Sequence, residues 1–145
     1  INSRLKIESY ILGLCLEGFK MNANNRVKAH GSELIDLLVD DERARLLKEI
    51  ALNLPDITLN ERQMCDLELL ANGAFSPLKG FMARADYESV LDRMRLQNDI
   101  LWPIPICMDV DELKARSLEG GQSVALRDPE GYLLAIMHIE FQVSV

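Results

Sequence analysis

The sequence predicts an α+β domain in which helices occupy the first half and a small curved sheet or barrel occupies the second. Apolar residues recur at helical spacing as far as Met94, and beyond Leu101 they alternate with a period of about two residues. This order, with helices first and strands afterwards, is typical of the α+β class. The chain has 145 residues, of which 48% are hydrophobic and 27% charged. A domain of that size folds without a metal or a disulfide.

The first helix is predicted to begin after Asp40 or Asp41, because either side chain can cap the unpaired amide groups of a helix start. Pro55 ends it, since proline cannot continue a helix. The apolar run at 34–39, just before this helix, fits either a strand or a helical turn. The apolar stripe of the helix comprises Leu46, Leu47 and Ile50.

The second helix carries signals at both of its ends. Thr58 and Glu61 match the T-x-x-E capping box, in which each side chain satisfies a backbone amide at the helix start. Asn72–Gly73 forms a C-terminal stop, because glycine accepts the left-handed conformation that such caps need. The helix is therefore predicted to run to about Ala71. Its buried face comprises Met64, Leu67, Leu70 and Ala71.

The segment 73–82 is a loop by its glycine and proline content, yet it carries four large apolar side chains. Either these side chains fill the core of this domain, or they form a face that packs on a neighbouring domain or subunit. The candidate domain-interface residues are Phe75, Leu78, Phe81 and Met82. A third helix follows, with its apolar stripe at Tyr87, Val90, Leu91 and Met94.

Three strands are predicted in the second half of the chain. The first spans 101–110, and because Pro103 and Pro105 lack a backbone N–H it belongs at a sheet edge or carries a bulge. Gly120–Gly121 forms a turn before a strand at 123–127, and 128–131 connects that strand to a return strand at 132–141. One face of the return strand comprises Leu133, Ala135, Met137, Ile139 and Phe141, and the other comprises Leu134, Ile136, His138 and Glu140.

The overall charge argues against several classes of partner. The net charge is −7, and an acidic chain repels nucleic-acid backbones and anionic lipid headgroups. No segment approaches the roughly 20 apolar residues of a membrane-spanning helix. The three cysteines, Cys15, Cys65 and Cys107, are odd in number and widely spaced, which favours a reducing compartment over a disulfide framework. We therefore expect a cytoplasmic protein that binds neither nucleic acid nor membrane.

Few residues have the chemistry of a catalytic or metal site. The two histidines, His30 and His138, lie far apart in the sequence, which excludes a zinc site with several His ligands. No glycine-rich phosphate-binding motif is present. The acidic run at 40–42 is explained by charge at a helix start, and the run at 109–112 lacks the glycine and spacing of an EF-hand loop. The sequence thus predicts no catalytic, cofactor-binding or metal-ligating residue.

One 24-residue block, Leu59–Met82, carries a specific family resemblance. It closely resembles the N-terminal domain of ATP sulfurylases, in which R-Q-x-C-D-L-E-L-L-x-N-G-x-F-S-P-L-x-G-F-M is typical. The stretches at 101–106 and 124–131, and their spacing, are similar to the same family, as is the segment His30–Leu34. The resemblance covers roughly residues 29–140.

This resemblance implies a PUA-like β-barrel domain that precedes a separate α/β nucleotidyltransferase domain. The full-length enzymes use ATP and magnesium to join ATP and sulfate into adenylyl sulfate and pyrophosphate. The family's Gln-x-Arg-Asn, His-x-x-His and Gly-Arg-Asp segments belong to that second domain, and none of them is present in this sequence. The resemblance therefore implies that this chain alone is inactive, with the catalytic domain of the same polypeptide as its partner. Homo-oligomerisation is left open.

The ends of the chain depart from the family pattern. Residues 29–145 are expected to form the PUA-like domain, and 1–28 to be an N-terminal extension or linker that need not be native to it. The ending at 141–145 does not resemble the usual continuation, Ala74 stands where a second glycine is common, and Cys107 stands where threonine is frequent. PUA-like folds also occur in RNA-binding proteins. A free-standing binding module is therefore the alternative, which the acidic charge disfavours.

Overall fold

The computed structural model describes residues 28–31 and 33–139, together with the backbone of two short strands nearer the N-terminus. Four helices and six strands lie in these regions. In chain order they are β1 (Ser3–Arg4), β2 (Ser9–Ile11), α1 (Asp41–Ala51), β3 (Asp56–Thr58), α2 (Glu61–Ala71), α3 (Arg84–Arg93), β4 (Asp109–Val110), α4 (Glu112–Arg116), β5 (Ser123–Arg127) and β6 (Leu133–His138).

The described strands form two sheets. Four of them pair in the order β2-β6-β5-β3, with β3 parallel to β5 and the other pairs antiparallel, while β1 pairs with β4. The two edge strands of the larger sheet, β2 and β3, do not pair with each other, so the described strands form an open sheet. Mixed α and β structure is confirmed, but the predicted order is wrong because β2 and β3 come from the first half of the chain.

The predicted start of α1 is confirmed, whereas that of α2 is shifted by two residues. Asp40 caps α1 and accepts a hydrogen bond from the backbone N–H of Arg43 at 2.8 Å. The cap of α2 is Asn60, whose side chain accepts from the N–H of Gln63 at 2.9 Å while Gln63 Oε1 accepts from the N–H of Asn60 at 3.0 Å. Thr58 cannot serve as the predicted cap because it lies in β3, paired with Arg127.

The predicted end of α2 is confirmed. Asn72 is the C-cap residue of α2, and Gly73 follows it with φ +82°, a backbone conformation that residues other than glycine rarely adopt. A Cβ on Gly73 would lie 2.6 Å from the carbonyl oxygen of Ile35. The run 34–39 is neither a helix nor a regular strand; it packs beside the end of α2, where the N–H of Leu37 donates to the carbonyl of Ala71 at 3.1 Å.

The predicted stripe of α3 is only half correct. Val90 is buried and Tyr87 packs against the core, but Leu91 and Met94 are exposed. The helix ends at Arg93, and Met94 takes a left-handed conformation with φ +54°, which turns the chain away from the helical path. Helical periodicity therefore stops one residue before the stripe was expected to end.

The predicted strand at 101–110 is wrong over most of its length. Only Asp109–Val110 pairs as a strand, while Leu101 makes an isolated bridge with Arg95. The intervening prolines are exposed and offer no N–H to a ladder. A short helix that was not predicted, α4, follows; its cap Asp111 accepts from the N–H of Lys114 at 2.8 Å.

The β5–β6 hairpin is confirmed, and it is buried on both faces. The main core lies on one face, and α1 covers the other, where Leu47 and Ala51 pack on Ala125 and Ile136. A register shift at Leu126/Arg127 breaks the predicted alternation at the start of β6. As a result Leu133 packs on the α1 side and Leu134 on the main core, opposite to the prediction. Glu140 and Phe141 lie outside the described residues.

Candidate functional site

The four candidate interface side chains lie mainly inside this domain. Leu78, Phe81 and Met82 are buried in the main core, and Phe75 packs at its border. The ring of Phe75 meets that of Trp102 edge to face, with centroids 5.9 Å apart. These contacts favour the alternative in which the side chains fill the domain's own core. An interface role for the loop remains a prediction.

Hydrogen bonds hold this loop against the core on both sides. The hydroxyl of Ser76 is buried, accepts from the N–H of Ile35 at 2.9 Å and donates to the carbonyl of Gly73 at 2.6 Å. At the other end, the N–H of Met82 donates to the carbonyl of Ile106 at 2.7 Å. The loop is thus a fixed part of the domain, and its outer side, with exposed Lys79, borders a shallow hollow of about 210 Å³.

A polar junction joins the start of α2 to β4. Arg62 forms ion pairs with Asp66, at 3.0 Å, and with Asp109. Beside it Gln63, which is buried, donates from Nε2 to the backbone carbonyl of Asp109 at 2.7 Å. Sequence reasoning noticed the Arg62–Gln63 pair only within the family block, because the partner on β4 is 46 residues away in the chain.

A cleft of about 570 Å³ lies next to this junction. Several of its polar groups have structural roles: Asn60 and Asp111 cap helices, and Asp109 is bound by Arg62 and Gln63. The cleft is lined by Asp56, Ile57, Thr58, Asn60, Gln63, Asp109, Val110, Asp111 and Lys114.

One carboxyl in this region has a perturbed pKa. Burial raises the pKa of Asp66 above its usual value of 3.8, and this outweighs the opposing effect of Arg62. The nearby Asp109 carboxylate adds to the rise. A partly buried carboxylate paired with one arginine is as typical of a structural junction as of a site for chemistry.

The histidines and cysteines do not converge. His30 shares a hydrogen bond of 2.7 Å between Nε2 and the carbonyl of Leu101, whereas His138 lies on β6 with its Nδ1 3.4 Å from the hydroxyl of Ser123. Cys65 is exposed, Cys107 is buried, and Cys15 lies outside the described residues. In the described part of the chain, no three side chains of His, Cys, Asp or Glu are grouped as a metal ion would need.

No helix in the described ranges has the length and apolar character needed to cross a membrane.

A comparison with known families places the chain in a defined class. The family model for the PUA-like domain matches residues 27–143, and the chain belongs to that family. The chain is also similar to a solved structure, the hexameric APS kinase from Thiobacillus denitrificans, with a TM-score of 0.69 and 40% identity. That match covers 77% of this chain and 22% of the other.

Curated relatives narrow the resemblance to sulfate adenylyltransferases. The enzyme of Mycosarcoma maydis is 52% identical over 103 residues, which is 69% of this chain and 18% of the relative. That of Eremothecium gossypii is 46% identical over 112 residues, 76% of this chain and 22% of the relative. That of Symbiobacterium thermophilum is 39% identical over 114 residues, 79% of this chain and 29% of the relative. The family resemblance read from the sequence is confirmed, and the chain spans less than a third of these relatives.

Proposed function

We propose that this chain is the non-catalytic N-terminal domain of a sulfate adenylyltransferase. In the full-length enzyme, ATP and sulfate are converted to adenylyl sulfate and pyrophosphate with magnesium, and this domain supports the adjacent nucleotidyltransferase domain or the assembly of subunits. The observation that carries the proposal is the coverage: 69% of this chain matches only 18% of the Mycosarcoma maydis enzyme. In the cleft of about 570 Å³, Asn60 and Asp111 cap helices and Asp109 pairs with Arg62, which supports a structural role for these groups.

The proposal extends to the boundaries and surroundings of the domain. Residues 29–145 form the PUA-like unit, and 1–28 act as an extension or linker that adds β1 and β2 to its sheets. A small barrel would require closure of the sheet beyond the open order β2-β6-β5-β3. The net charge of −7 and the cysteine pattern support a cytoplasmic location without nucleic-acid partners.

A chimeric enzyme tests this function. The segment of the Mycosarcoma maydis enzyme that matches this chain would be replaced by residues 29–139, and pyrophosphate release would be measured with ATP, sulfate and magnesium. Because the replaced segment is 52% identical over 103 residues, we expect the chimera to assemble and to retain activity. A chimera that is folded in both parts but inactive would contradict the proposal.

We propose that the loop 75–82 contributes to this supporting role through its outer side, not through its buried side chains. Phe81 is only 2% exposed, so Phe81→Asp should unfold the domain at a cost of several kcal/mol, since it buries an unpaired charge. Lys79→Glu changes only the outer side of the loop. We expect it to lower pyrophosphate release by the chimera. The free energy of unfolding of the isolated chain, measured by urea denaturation, should stay within about 0.5 kcal/mol of wild type. If Phe81→Asp left both stability and activity unchanged, the packing described here would be wrong.

A further inference from the structure

We draw no further inference here: the strongest candidate, the cleft lined by β3, β4 and the start of α2 at the open edge of the larger sheet, carries none, because nothing among the described residues shows what would occupy it.

Discussion

At the scale of single residues, Gly73 has the least freedom to change. With φ +82° and the Ile35 carbonyl 2.6 Å from where a Cβ would stand, Gly73→Ala meets both backbone strain and a clash. We expect it to lower the free energy of unfolding by about 2 kcal/mol or more. The control is Gly121→Ala, where φ is +88° but nothing lies within 4 Å, and where only the conformational cost of about 1 kcal/mol should appear. Urea denaturation of both variants measures the difference, and equal losses would contradict the clash.

Asp66 makes a pH-dependent contribution whose sign follows from its raised pKa. The folded protein holds the Asp66 proton more tightly than the unfolded chain, because burial disfavours the carboxylate. The stability linked to this proton is therefore complete below the unfolded pKa of 3.8 and is lost as the pH rises through the higher folded value. We expect Asp66→Asn to lose less stability than wild type over this rise in pH. Urea denaturation at a series of pH values measures it, and a steeper loss in the variant would show that the sign is wrong.

At the scale of elements, the start of α2 shows that a sequence can match a capping pattern at a position where the structure has no cap. The T-x-x-E pattern at Thr58 is as good a sequence signal as the Asn60–Gln63 pair, and only the parallel pairing of β3 with β5 decides between them. Pairing with a strand about 70 residues away is not encoded in the local sequence. The cap of α1 at Asp40 was predictable because no such pairing competes for it.

Substitutions at the two cap positions test this assignment. Asn60→Ala removes the acceptor for the N–H of Gln63 and should cost about 1 kcal/mol of stability. Thr58→Ala, at an exposed position of a short strand, should cost distinctly less. Thermal denaturation of both variants measures the costs. A larger loss of stability for Thr58→Ala than for Asn60→Ala would indicate that Thr58, and not Asn60, caps α2.

Local signals predicted the hairpin well but failed at 101–110. Gly131, with φ +90°, and the Asp128–Pro129 turn fix the β5–β6 connection within a few residues. In the earlier segment Ile106, Cys107 and Met108 are buried without pairing as a strand. The carbonyl of Ile106 accepts from the N–H of Met82 in the loop, which is a tertiary contact that the local sequence does not reveal.

At the scale of the whole molecule, the sequence identified apolar side chains that must pack on something but did not decide on what. For the loop 75–82 both the domain's own core and a neighbouring surface were open, and three of its four apolar side chains lie in the domain's own core. Leu91 and Met94 were expected inside and lie outside: Met94 follows the end of the helix at Arg93, whereas Leu91 lies on an exposed side of the helix itself. The family, by contrast, could be predicted directly from the 24-residue block, because its sequence pattern is specific to the family and no knowledge of the structure is needed to recognise it.

The proposed supporting role requires that this domain alone does not catalyse the reaction. The direct measurement is pyrophosphate release by the purified 145-residue chain, supplied with ATP, sulfate and magnesium. We expect no release above the rate without protein. Release that rises in proportion to the concentration of the chain, and disappears in the unfolded Phe81→Asp variant, would contradict the central claim.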